Sequence, residues 1–164
     1  MLFRSHQGAL DQTGSPFDLA LSGKGFFRVR DAAGNVMYTR NGRFYLNRDR
    51  NLVNSSGMNL LDIRNNPIRI EGGAAAVLGD GTILVDDEQA ARIGLADFDA
   101  AGYLALRQVG MGLFRKPAAV NEIVPGTGTN ILQGYLEESN VDPIRAMVDM
   151  IEAFRVFEAG QRAI

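Results

Sequence analysis

The chain has 164 residues, enough for one full core or for one domain plus an arm. Its 17 Lys+Arg stand against 19 Asp+Glu for a net charge of -2, and no basic run exists that could neutralise several phosphates, which argues against nucleic acid as a partner. The lack of cysteine removes disulfides, thiolate metal sites and cysteine nucleophiles together, and no apolar run approaches the ~20 residues a spanning helix needs.

Residues 1–16 read as an extended lead-in. Met1-Leu-Phe-Arg-Ser-His-Gln is too short and polar for a cleavable signal peptide, and Gln7 to Gly14 is polar without periodicity. Residues 17–136 read as a β-rich domain. Phe17 to Leu21 alternates, and Ser22-Gly-Lys-Gly25 breaks the run. Phe26 to Arg30 and Val36 to Thr39 flank Asp31-Ala-Ala-Gly34, a hairpin whose glycine can take the left-handed angle of a bulged turn. The same four letters recur at Asp99-Ala-Ala-Gly102, between Ile93–Phe98 and Tyr103–Leu106, where a second hairpin is expected. Gly79-Asp-Gly81 marks a third turn, and Asn65-Asn-Pro67 precedes the alternating Ile68-Arg-Ile70. Short strands at this spacing predict a mainly β fold, an irregular twisted sandwich or barrel-like domain. Residues 117–130, rich in turn formers, read as the linker towards a final segment, 137–164.

That final segment carries the clearest periodic signal. Asp142 before Pro143 is a helix start: the residue preceding proline is pushed out of helical angles, and proline fits the first helical position. Asp142 would cap the free N–H groups of the first turn. Ile144, Met147, Ile151 and Phe154 then recur at helical spacing, widened by Val148 and Phe157, while Arg145, Asp149, Glu152 and Arg155 fall mostly on the other face. From Pro143 to Ile164 the helix would span roughly 33 Å at 1.5 Å per residue. No other stretch reads as a long helix able to receive this stripe. The expectation is that it finds its partner in another chain or in a segment missing from the sequence, which makes Ile144, Met147, Val148, Ile151, Phe154 and Phe157 a candidate assembly interface.

The residues that could carry chemistry read as structural. His6 is the only histidine, too few for a multi-histidine metal site. Asp86-Asp-Glu88 looks like a solvated turn, and arginines interrupt the faint calcium-loop pattern of Asn47-Arg-Asp-Arg-Asn51. Gly126-Thr-Gly-Thr-Asn130 lacks the lysine of a phosphate loop. Asp97 and Asp99 could pair for acid–base work, yet Asp99 opens a turn signal. No catalytic, metal or cofactor site is therefore assigned, and neither a cofactor nor a small-molecule substrate is expected.

Three blocks of this sequence resemble bacterial flagellar basal-body rod and hook proteins. Gln12-Thr-Gly-Ser-Pro-Phe-Asp-Leu-Ala-Leu-Ser-Gly-Lys-Gly-Phe-Phe27 is similar to the motif opening the family's middle domain. Tyr38-Thr-Arg-Asn-Gly-Arg-Phe-Tyr-Leu46, with Asn51-Leu-Val and Gly57, resembles the next block. Gln133-Gly-Tyr-Leu-Glu-Glu-Ser-Asn-Val-Asp-Pro143 with Met147 to Glu152 resembles the C-terminal helix signature. The resemblance implies a self-assembling subunit of the basal-body rod, proximal or distal, that transmits motor torque to the hook. Its partners would be copies of itself and neighbouring rod or hook subunits, in coiled-coil-like contacts, after type III export without a cleaved signal. It also implies that the sequence starts beyond the family's N-terminal helix and stops early in the C-terminal one. Two other readings use the same residues: a β-rich surface module of phage-tail or adhesin type recognising a glycan, and a hydrolase using Asp97 and Asp99.

Overall fold

A computed structural model describes residues 8–138 together with Ile144, Met147, Val148 and Ile151. The elements in order are β1 (Leu10–Gln12), β2 (Leu19–Ser22), β3 (Phe26–Arg30), β4 (Val36–Thr39), β5 (Tyr45–Leu46), β6 (Leu52–Val53), β7 (Asn59–Leu60) and β8 (Ala75–Val77). They continue with β9 (Thr82–Val85), β10 (Glu88–Arg92), β11 (Leu95–Ala96), α1 (Ala100–Ala105), β12 (Arg107–Gly110), β13 (Leu113–Arg115), β14 (Asn130–Gln133) and β15 (Tyr135–Glu137). The fold is mainly β, as the turn spacing predicts. Among the described residues the strands form one large sheet and three small ones, and none closes into a barrel.

The large sheet runs β12-β13-β4-β3-β7-β6-β5, with β11 extending beside β3. Alternation along its central strands gives it two apolar faces. Phe27 and Val29 of β3 and Met37 of β4 point into the main core, where Leu19 and Leu21 of β2, Ile131 of β14 and Ile83 and Val85 of β9 meet them. Phe26 and Tyr38, one position out of phase, point the other way into a second cluster with Ala96, Phe98, Tyr103, Leu106 and Phe114. The rings there meet mostly tilted or edge-on, Phe98 with its centroid 5.1 Å from Tyr38 and 5.9 Å from Tyr103.

Several turns take the form their residues predict. Gly34 sits at φ 95° in the β3–β4 turn, where Asp31 accepts from the Asn35 backbone N–H at 2.8 Å. The Asp31 carboxyl is held below its ordinary range by the Asn35 side chain first and the turn's backbone N–H groups next. Asp86 and Asp87, both at positive φ, form the two-residue β9–β10 turn. Ile68 and Ile70 are buried on either side of exposed Arg69, though the segment joins the structure through isolated bridges at Pro67 and Arg69 rather than a strand.

The second Asp-Ala-Ala-Gly does not form a hairpin. It is the first turn of α1, and the Asp99 side chain caps the helix by accepting from Gly102 N–H at 2.7 Å. Packing decides the difference. Tyr103 is fully buried in the aromatic cluster, and a Cβ on Gly102 would crowd Phe98 Cβ at 2.9 Å. Gly34, with nothing near its absent Cβ, faces open space instead.

Burial in the second cluster suppresses the ionisation of two phenols. Tyr103 is pushed well above its ordinary pKa by desolvation first and then by the Asp97 carboxylate, to which its hydroxyl donates. Tyr38 is pushed up by desolvation and by its hydrogen bond to Glu122. Both must therefore stay neutral in the fold while the unfolded chain ionises from about pH 10. Their stabilisation is complete below that pH and declines as pH rises further, by about 1.4 kcal/mol per pH unit for each phenol. Denaturant titrations between about pH 9 and 11 should show this loss, and a Tyr103→Phe variant should lose stability less steeply with pH. Truncating Phe26 to Ala at the centre of the cluster should cost about 3–5 kcal/mol.

Candidate assembly interface

The chain's two arms leave the domain side by side. β1 pairs antiparallel with β15, Leu10 opposite Glu137 and Gln12 opposite Tyr135. The pairing extends through Glu138 N–H to Ala9 O and Thr13 N–H to Gly134 O, both 2.8 Å. Gly134 at φ 80° and Gly14 at φ 73° turn the two strands into the domain. The lead-in is thus a strand where it meets β15.

A buried arginine holds this exit to the sheet. Arg40 is 7% exposed, and each of its five N–H groups has an acceptor. Nη1 donates to Gly23 O at 2.8 Å and Gly25 O at 3.0 Å. Nη2 donates to Leu21 O at 3.2 Å and to Glu137 Oε2 at 2.5 Å, and Nε reaches Glu137 Oε1 at 3.4 Å. Gly23 and Gly25, at φ 105° and 122°, let the Ser22-Gly-Lys-Gly25 loop turn its carbonyls inwards. Gln133 adds a second tie, its amide donating to Pro16 O and Ala75 O at 2.9 Å while its oxygen accepts from Val77 N–H at 3.0 Å. Arg40, Gln133 and Glu137 lie within the motif blocks but are not singled out by sequence reasoning.

Of the predicted interface, Met147 and Val148 are buried, 2% and 5% exposed, against the aromatic cluster, with Ile144 and Ile151 half-buried beside them. All four are helical. Asp142, Pro143, Phe154 and Phe157 lie outside the described residues, as does His6. The expectation of a stripe without an intrachain partner is therefore corrected at Met147 and Val148. Their partner is the second face of the large sheet, which the hairpin reading of residues 99–102 did not furnish with Tyr103 and Leu106.

The polar groups weighed for chemistry have structural work. Asp97, 4% exposed, accepts from Phe98 N–H at 2.9 Å and from the Tyr103 hydroxyl, while Asp99 is an exposed helix cap. Arg50, in the Asn47–Asn51 turn, donates to Ile70 O and Gly72 O at 2.9 and 3.1 Å. Arg28, 8% exposed, donates to Asp62 O at 2.8 Å and to Asn65, and pairs with Glu122 at 3.5 Å. A glycan platform would need exposed rings, yet Phe26, Tyr38, Phe98, Tyr103 and Phe114 are interior. Tyr45 is the only large exposed aromatic among the described residues.

A β-rich scaffold whose two ends emerge as one ribbon, with an apolar helical stripe on its outer sheet face, is a domain organised around its termini. The family pattern described as "Flagellar hook protein FlgE/F/G D1 domain" matches residues 20–88, and "Flagellar basal body rod FlgEFG protein C-terminal" matches residues 132–164. The chain belongs to this flagellar rod and hook family. It is 34% identical over 154 residues to the flagellar basal-body rod protein FlgF of Mesorhizobium japonicum, covering 92% of this chain and 62% of that one. Identity to FlgG of Agrobacterium fabrum is 34% over 173 residues, covering 96% and 63%. For FlgF of Rhizobium meliloti it is 37% over 155 residues, covering 92% and 62%. The chain thus spans a little under two thirds of the length of these relatives.

Removing one member of the buried Arg40–Glu137 pair leaves an uncompensated interior charge. Arg40→Ala or Glu137→Ala should therefore lower the unfolding free energy by about 3–5 kcal/mol in denaturant titration. Arg40→Lys should recover only part of that, because an ammonium offers three donors where five acceptor contacts exist.

Proposed function

We propose that this chain is the β-rich body and C-terminal helical region of a structural subunit of the bacterial flagellar basal-body rod. The reading is carried by the two family matches at opposite parts of the chain, supported by relatives named basal-body rod proteins. The paired β1 and β15 arms suit a subunit whose terminal segments act together: anything preceding residue 8 and following residue 138 starts from one end of the domain.

In this reading many copies stack helically through heterologous contacts that need not close into a ring. The C-terminal segment, capped by Asp142 and Pro143, supplies the axial contact through Phe154, Phe157 and the half-buried Ile144 and Ile151. Met147 and Val148 anchor the same segment to the aromatic cluster. The Arg40 and Gln133 ties make the joint between ribbon and sheet stiff, so torque delivered to the arms reaches the β domain. Residence in the basal body, neighbours among rod or hook subunits, and export without a cleaved signal belong to the same proposal. No described helix is long and apolar enough to cross a membrane.

In a motile bacterium, the encoded full-length protein carrying Ile151→Asp and Phe154→Asp should be made and keep a folded β domain, judged by near-ultraviolet circular dichroism. It should fail to restore rods or swimming. Normal rods in that strain would remove the axial role of the stripe.

A further inference from the structure

Charge is partitioned along this chain in a way its near-neutral total conceals. From Ile70 to Ala91 there are five acidic residues, Glu71, Asp80, Asp86, Asp87 and Glu88, and no Lys or Arg. From Ala100 to Asn121 there are Arg107, Arg115 and Lys116 and no Asp or Glu. The acidic stretch ends in the β9–β10 hairpin, where Asp86, Asp87 and Glu88 are all exposed and β10 is the outer strand of its sheet. The basic stretch contains β12, the outer strand of the large sheet, exposed along its whole length. Among the described residues β12 pairs only with β13.

We infer that these two edges are the complementary halves of a contact between copies of this chain, the β12 edge of one copy lying along the β10 edge of the next. The inference rests on the reading of the protein as an assembling subunit and names the β-domain surface involved. Charge sets the direction. Arg107 and Arg115 are register partners, so both cations sit at one end of the β12–β13 hairpin, while Asp86, Asp87 and Glu88 sit at the first end of β10 and Asp80 lies at the other, beside Arg92. Matching those ends runs the two edges parallel. Four residues further, roughly 13 Å along a strand, Met111 comes level with Arg92. Met111 is 94% exposed on the hairpin tip.

Beside Arg92 opens a groove of about 630 Å³ whose lining includes Ile63, Ile93 and Ile123. Ile63, 56% exposed, lies alongside because its N–H donates to Arg92 O at 3.0 Å. The groove is of mixed character, with Arg28, Asp80 and Glu122 also in its lining, and the exposed apolar tip meets Ile63 at its mouth in the same register that pairs the charges. Both edges carry a bulge, at 89/91 and at 108/110, which breaks a continuous ladder, so side chains carry the contact. The two surfaces differ, so the association is heterologous and extends beyond a dimer.

The test is sedimentation velocity of the 164-residue chain across a concentration series at about 50 and 500 mM salt, the range over which surface charges become screened. Association past the dimer at low salt, weakened at high salt, is expected. Arg107→Glu and Glu88→Arg should each weaken it about tenfold or more, and the double variant should move it back towards the parent. All three should melt like the parent, since both side chains are exposed. As the chain has no cysteine, Met111→Cys with Ile63→Cys should give an oxidised ladder of dimers, trimers and higher species. A chain that stays monomeric, stops at dimers, ignores the single reversals or shows no recovery in the double variant overturns the contact. Indifference to these reversals, with rods still blocked by the Ile151/Phe154 pair, removes this contact alone. Charge-swap recovery with normal rods in that pair removes the axial stripe alone.

Discussion

A fully satisfied guanidinium joins the parts of this molecule that are far apart in sequence. Arg40 lies in the second motif block, its carbonyl acceptors Leu21, Gly23 and Gly25 in the first, and Glu137 in the third. A buried charge is tolerated only when desolvation is offset by acceptors in good geometry, so the three blocks must sit together for any of them to be comfortable. Arginine suits the task because its planar fork reaches a carboxylate and several carbonyls at once. The glycines of the Ser22-Gly-Lys-Gly25 loop serve the same end, freeing the backbone to aim its oxygens inwards.

The second constraint is a sheet greasy on both faces. β3 reads Phe26-Phe27-Arg28-Val29-Arg30, and successive side chains go to opposite sides, so Phe27 and Val29 build the main core while Phe26 and Arg28 face outwards. An outward phenylalanine requires cover, and α1 together with Met147 and Val148 provides it. Of the final segment's apolar positions, Met147 and Val148 are buried at home, and Ile144 and Ile151 are half-buried beside them.

Much of the β domain was legible in the sequence. The hairpins at Gly34 and at Gly79-Asp-Gly81 follow from glycine and aspartate turn chemistry, which acts over four or five residues and needs no tertiary context. The alternation of Ile68 and Ile70 also appears as burial. Identical letters adopt different structures where their surroundings differ. Asp-Ala-Ala-Gly is a turn at residues 31–34 and a helix start at 99–102, because aspartate suits both roles and only the burial of Tyr103 separates them. The ties made by Arg40, Gln133 and Glu137 were equally hidden, since the longest of them connect residues 97 and 117 positions apart.

What the sequence alone determined was the class: short strands between glycine turns, no thiol and no histidine cluster, and motif blocks shared with a flagellar family. These follow from local backbone preference and side-chain type, which are written residue by residue. What only the tertiary structure decided was which apolar positions are already covered, which charges are buried, and that opposite charges gather on separate sheet edges. Those properties depend on which distant strands pair and in what register, and pairing is settled by the whole core rather than by any one segment of the chain.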